Sequence, residues 1–104
     1  MYKLTLLLVL CSCTNTYTRG DAATELSEAW CDFLTSCGYG SDTCVRHNVF
    51  HLCELEETCD REFTATDALD RCVFAIEQSD QCIAAVYGLT PRECGDFWEA
   101  YETN

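Results

Sequence analysis

At 104 residues the chain has room for one domain, and a domain of that size buries only roughly 60 to 65% of the surface of its unfolded chain. Ten cysteines in so short a chain are typical of a disulfide scaffold, which persists only in an oxidising compartment. The formal net charge of −12 argues against nucleic-acid binding, because affinity for a phosphate backbone comes largely from lysine and arginine. The sequence therefore predicts an exported, acidic, disulfide-stapled protein.

The first twelve residues are typical of an export signal. Lys3, the only lysine, supplies a positive charge, and an apolar run follows at residues 4–10. This run is shorter than the about 20 apolar residues that a membrane-spanning helix needs. We therefore assign residues 1–12 to a signal peptide and exclude them from the reasoning about the fold.

The sequence Leu-Cys-Ser-Cys at residues 10–13 resembles the bacterial lipobox, in which small residues precede an invariant cysteine at the cut. Cys13 is then the predicted lipid acceptor. A cut before Cys11 would place Leu10 directly ahead of it, where the lipoprotein signal peptidase takes a small residue. The alternative is an ordinary secretory signal that is cut near Thr18 or Ala22, with both N-terminal cysteines discarded.

The lipobox resemblance implies a membrane-anchored protein. Two or more acyl chains on Cys13 would hold it stably, since each buried CH₂ contributes about 0.8 kcal/mol. Residues 13–20 are polar and form the predicted lipidated tether. Thr14 follows the cysteine, and the resemblance to lipoproteins of two-membrane bacteria, in which a residue other than Asp stands there, implies transfer to the bacterial outer membrane or cell surface. Without the lipid, the product would be a free periplasmic or extracellular protein.

Apolar residues in the predicted domain, residues 21–104, recur at helical spacing, and no strand pattern of comparable strength is present. Gly38 stands where the first helix would end in a left-handed cap, and Thr90 with Glu93 forms a predicted capping box for the last helix. The sequence predicts an all-α fold, a small disulfide-stapled bundle of four to five short helices. The apolar stripes occupy residues 26–37, 45–53, 69–76, 82–87 and 94–101.

The cysteines of the domain are even in number and allow four disulfide bridges in 105 possible pairings. Zinc sites usually contain cysteines separated by two residues, and no such pair occurs here. We therefore predict disulfides and no metal at these positions, with the pairing left open. The predicted disulfide cysteines are Cys31, Cys37, Cys44, Cys53, Cys59, Cys72, Cys82 and Cys94.

Two histidines form the most suggestive chemical constellation. His47 and His51 lie four residues apart on the second predicted helix, with Glu54 one further turn along, and such spacing can hold a transition metal. The glutamate that follows the first histidine in zincin proteases is absent, so we favour two solvated histidines and predict no cofactor. Since the chain also lacks a Gly-x-Ser-x-Gly elbow, we expect no enzymatic activity.

Five aromatic residues fall on predicted inner helix faces, namely Trp30, Phe33, Phe97, Trp98 and Tyr101. We assign them to the core. Exposure of Trp98 or Tyr101 would instead indicate a docking patch.

Several segments together resemble the small cysteine-rich lipoproteins of myxobacteria and their relatives. These are the lipobox, residues 30–38, Cys72 with Cys82, and residues 89–94. The family has no assigned activity, so the resemblance implies location and fold only. We expect a membrane-anchored structural or interaction module with an unknown protein partner at the cell surface. The alternative is a secreted binder of a metal, through His47 and His51, or of a small apolar ligand.

Overall fold

The computed structural model describes residues 16–103, and five α-helices contain most of them. Two further helical turns are present, a π-helical turn at Phe50–Glu54 that continues α2 and a 3-10 turn at Arg92–Cys94 that precedes α5. The described residues contain no strand, only an isolated bridge between Thr18 and Glu62. The predicted all-α fold is confirmed. The helices are α1 (Arg19–Ser36), α2 (Cys44–Val49), α3 (Thr66–Glu77), α4 (Ile83–Tyr87) and α5 (Gly95–Thr103).

A reciprocal capping box fixes the start of α1. The Asp21 amide donates to Thr18 Oγ1, and the Thr18 amide donates to the Asp21 carboxylate, which satisfies two donors at the helix end. The next two amides, of Arg19 and Gly20, donate to carbonyls of the 59–61 turn. The folded domain therefore begins before the predicted boundary at residue 21, and the last two residues of the predicted tether belong to α1.

The core forms where α1 packs against α2 and α3, and where α3 packs against the 3-10 turn and α5. At the far end of α1, Gly38 takes the predicted left-handed conformation, with φ of 90°. Phe63, from the loop between α2 and α3, is almost fully buried against Phe97 and Tyr101. The buried cluster comprises Ala22, Leu26, Ala29, Phe33, Phe63, Ala68, Leu69, Cys72, Ile76, Cys94, Phe97 and Tyr101.

Four disulfides connect these elements, and they use all eight predicted cysteines. One joins α1 to the start of α2, one joins the end of α1 to the residue before α4, one closes the turn after α2, and one joins α3 to the 3-10 turn. A bridge of this kind contributes typically about 2 to 4 kcal/mol to stability. The pairs are Cys31–Cys44, Cys37–Cys82, Cys53–Cys59 and Cys72–Cys94.

The predicted capping box at the start of the last helix does not form. Pro91 is extended, with ψ of 155°, and the 3-10 turn that follows has no side-chain cap. Thr90 Oγ1 instead accepts a hydrogen bond of 3.1 Å from Trp98 Nε1. The Thr90 hydroxyl, which the sequence pattern predicts as the cap of the last helix, therefore accepts a hydrogen bond from the half-buried Trp98 indole instead.

Candidate functional site

The two histidines considered as metal ligands lie close together, but their side chains line different cavities. His47 belongs to α2 and His51 to the π-helical turn, and their ring centroids are 4.4 Å apart in an edge-on arrangement. His47 lines a shallow depression with Glu54, whereas His51 lines two other cavities, beside Leu52 and Trp98. Within residues 16–103, no group of three or more histidine, cysteine, aspartate and glutamate side chains is placed to hold a metal ion.

Arg19 and Tyr101 join the two ends of the described chain. Arg19 is 5% exposed, its guanidinium carbon lies 3.8 Å from the centroid of the Tyr101 ring, and its Nη1 donates to the Tyr101 carbonyl. The Tyr101 hydroxyl donates to the Leu52 carbonyl at 3.0 Å. Burial raises the pKa of Tyr101, and the nearby Arg19 charge opposes this shift. The cluster connects α1, α5 and the turn after α2, which is a structural role.

Helix α4 presents its large side chains to solvent. The sequence pattern predicts Ile83, Val86 and Tyr87 on an inner face, but they are 63%, 58% and 69% exposed. Ala84 and Ala85 pack against the core in their place. This part of the prediction is wrong, because five helical residues make little more than one turn and do not specify which face meets the core. The Cys37–Cys82 disulfide lies directly before α4 and joins its start to the end of α1. We call the exposed residues Ile83, Val86 and Tyr87 the α4 face.

A groove of about 750 Å³ runs between α1, α3 and the segment before α5. Its apolar wall includes Trp30 and Phe33 from α1, Phe74 from α3, and Leu89, of which Phe74 and Leu89 are 63% and 60% exposed. A volume of this size falls within the range of small-molecule sites. We call this cavity the α1–α3 groove, and none of the three α4-face residues lines it.

Arginines are concentrated at this groove. Residues 16–103 contain five arginines and eighteen carboxylates, yet the groove lining includes two of the arginines, Arg71 and Arg92, and one carboxylate, Glu93. Arg71 pairs with the exposed Asp96 at 3.5 Å. Arg92 has no ion-pair partner within the described part of the chain. The groove therefore offers one arginine that has no ion-pair partner among the described residues, on a strongly acidic protein.

A smaller cavity of about 200 Å³ lies on the other side of Trp30, where α1 faces the π-helical turn and α5. Ser27 lines it, is 1% exposed and has no hydrogen-bond partner for its hydroxyl among the described residues. Trp98 and His51 also line this cavity. A buried hydroxyl without a partner is usually satisfied by an internal water when the cavity has room for one, so this feature needs no ligand.

Most predicted core aromatics are placed as expected. Phe33, Phe97 and Tyr101 are buried, whereas Trp30 and Trp98 are half-buried beside the core. The predicted docking signal, exposure of Trp98 or Tyr101, is therefore weak, whereas three of the exposed large apolar side chains lie together on α4. Neither the α4 face nor the arginines of the groove stand out in the sequence pattern.

The remaining predicted site residue, Cys13, lies outside the described residues, as do Cys11 and the predicted signal peptide. Within residues 16–103, no helix has the length and apolar character needed to cross a membrane. Comparisons with protein-family models, with curated proteins and with solved structures found no match. The functional argument therefore depends on the chain's own residues.

Proposed function

We propose that the protein is an exported lipoprotein, anchored to the bacterial outer membrane or cell surface through Cys13, that works as an interaction module. Its partner would be a second protein with a complementary apolar surface. The four disulfides among the described cysteines fit an oxidising compartment outside the cytoplasm. The lipobox resemblance at residues 10–13 supports the anchor.

The observation that carries the interaction role is the orientation of α4. A helix that turns alanines inward and isoleucine, valine and tyrosine outward leaves apolar surface in water, which opposes folding. Clustered apolar surface of this kind marks interaction sites on soluble proteins. The Cys37–Cys82 disulfide holds the face in place, so a partner would meet a preformed surface.

The position of this face also fits an anchored module. The described part of the chain leads into the N-terminal end of α1. Cys37 lies at the C-terminal end of α1 and is bonded to Cys82, the residue before α4. Eighteen helical residues span about 27 Å at 1.5 Å per residue. A lipid at the N-terminus would then lie at one end of α1, and α4 would lie near the other end.

Site-specific photocrosslinking in a lipoprotein-competent bacterium tests the interaction. A photoreactive phenylalanine analogue at Tyr87 should yield a discrete crosslinked protein, whereas the same analogue at Leu55 should not, since Leu55 is comparably exposed at 57% but lies after α2. Crosslinks of equal strength at both positions, or none at Tyr87, would contradict the proposal. The anchor is tested separately: Cys13→Ala should release the protein from membranes, and Cys11→Ala should not.

The alternative function is the binding of a small ligand. Binding of an apolar ligand has support, whereas binding of a metal has none. The α1–α3 groove has the volume and lining of a ligand site. A metal site through His47 and His51 would have only two ligands within the described residues, and a tetrahedral zinc site needs at least three from the protein.

A further inference from the structure

We infer that the α1–α3 groove binds a long-chain carboxylate, with its acyl chain against the apolar wall and its head group at Arg92. This inference goes beyond the interaction role of the α4 face and does not depend on the lipid anchor. It follows from the shape of the groove, from the composition of its wall and from the placement of its charges.

The wall favours an acyl chain over a polar ligand. Trp30 and Phe33 supply aromatic surface from α1, Ala84 lies nearby on α4, and the exposed side chains of Phe74 and Leu89 stand at the edge of the cavity. Each CH₂ group that a ligand buries here contributes about 0.8 kcal/mol. A chain of about ten carbons would also shield both exposed side chains from water.

The charges favour a monoanion as the head group. Arg71 and Arg92 line the groove together with a single carboxylate, Glu93, which leaves one net positive charge in the lining. The other seventeen carboxylates of residues 16–103 lie outside the lining, and one of them, Asp96, pairs with Arg71, so Arg92 is the arginine left to meet an anion. Because a guanidinium binds a carboxylate through a two-pronged hydrogen bond, the unpaired Arg92 is the assigned contact.

Arg71 is a second and weaker contact for the carboxylate head group. Its ion pair with Asp96 is 3.5 Å long, and the two side chains are 58% and 75% exposed. Exposed pairs of this kind contribute at most about 1 kcal/mol, so Arg71 can turn toward a bound carboxylate at small cost. We therefore expect Arg92 to contribute more than Arg71 to the affinity.

The test uses bromoundecanoate and the matched neutral alcohol bromoundecanol, because bromine quenches indole fluorescence on contact and Trp30 lines the groove. The oxidised, unlipidated mature protein should show saturable quenching below the micelle concentration of the probe. Arg92→Gln should raise the Kd of the carboxylate about two- to fivefold, the range for an exposed charge pair. Arg46→Gln, at an exposed arginine outside the groove, should not change it.

Two further measurements complete the test. The Kd of the alcohol should be the same in all variants, and Trp30→Phe should lose most of the quenching while equilibrium dialysis still detects the bound carboxylate. Absence of saturable binding to the wild type would overturn the inference, as would equal sensitivity to Arg46→Gln and Arg92→Gln. Binding to lipid vesicles without binding to the monomeric probe would also overturn it, because the contact would then be with a membrane surface.

Discussion

Replacing Arg19 with methionine tests whether the buried guanidinium holds the two ends of the described chain together. Methionine has a similar length and retains much of the packing, but it removes the charge and every hydrogen-bond donor. The Arg19 side chain starts at the N-terminal end of α1 and reaches the last turn of α5. Carbonyls in a last turn have no partner within their own helix and carry a partial negative charge, so they favour a cation.

The expected cost follows from the contacts. A hydrogen bond from a charged donor contributes about 1.5 to 3 kcal/mol, and a desolvated cation–π contact contributes about 1 to 2 kcal/mol. Arg19 Nε, however, is buried without a partner among the described residues, and removal of such a donor returns about 1 kcal/mol. The net destabilisation should be about 1.5 to 4 kcal/mol, and Tm should fall by about 4 to 8 °C for each kcal/mol in a domain of this size.

Guanidinium unfolding followed by circular dichroism, with disulfides intact, measures this change. Arg71→Met provides the matched control, since it removes the same side chain from an exposed ion pair and should cost less than about 1 kcal/mol. If Arg19→Met is as stable as the wild type, or if both variants lose the same stability, the assigned role of Arg19 is refuted.

Three further predictions concern other parts of the fold. Tyr101 keeps its proton to a higher pH when the protein is folded than when it is unfolded, so the free energy of unfolding should fall as the pH rises past about 10. Guanidinium unfolding should show that this fall is shallower in Tyr101→Phe. Gly88 has φ of 66°, so Gly88→Ala should cost about 1 kcal/mol in thermal unfolding, whereas Gly95→Ala, in open space at φ of −55°, should not destabilise. Replacing Cys37 and Cys82 together by alanine should accelerate amide exchange in α4 and leave α3 protected.

The longer helices α1 and α3 could be predicted because their apolar stripes are long relative to a helical turn. The stripe that ends at Cys37 and Gly38 recurs over several turns, and the structure places α1 there. The identity of the disulfide cysteines followed from composition and spacing. Their pairing did not, because it depends on which helix ends meet in the tertiary structure, as Cys37 and Cys82 do over a sequence separation of 45 residues.

The orientation of α4 could not be predicted from its sequence. Five helical residues make little more than one turn, so periodicity cannot say which face meets the core. Burial of the large side chains is the ordinary expectation. Here the core accommodates Ala84 and Ala85, and the disulfide at Cys82 joins the start of the helix to the end of α1.

Neither the α1–α3 groove nor the contacts between Arg19 and Tyr101 could be predicted from the sequence. The groove combines residues from α1, α3 and the segment before α5, including Trp30 and Arg92, which are about 60 positions apart. Arg19 stands in a polar stretch that is typical of a tether, and arginine is rarely buried. Its burial depends on a ring and a carbonyl of Tyr101, at the opposite end of the domain sequence.

Intact mass spectrometry tests the central claim of an exported, lipid-anchored, disulfide-stapled module most directly. The protein is expressed in a lipoprotein-competent bacterium as the wild type and as Cys13→Ala, and each is alkylated with and without prior reduction. We predict a diacyl or triacyl increment on a chain that begins at Cys13, lost in the variant, and eight thiols that become reactive only after reduction. An unlipidated wild type cut beyond Cys13, or thiols that react without reduction, would contradict the account.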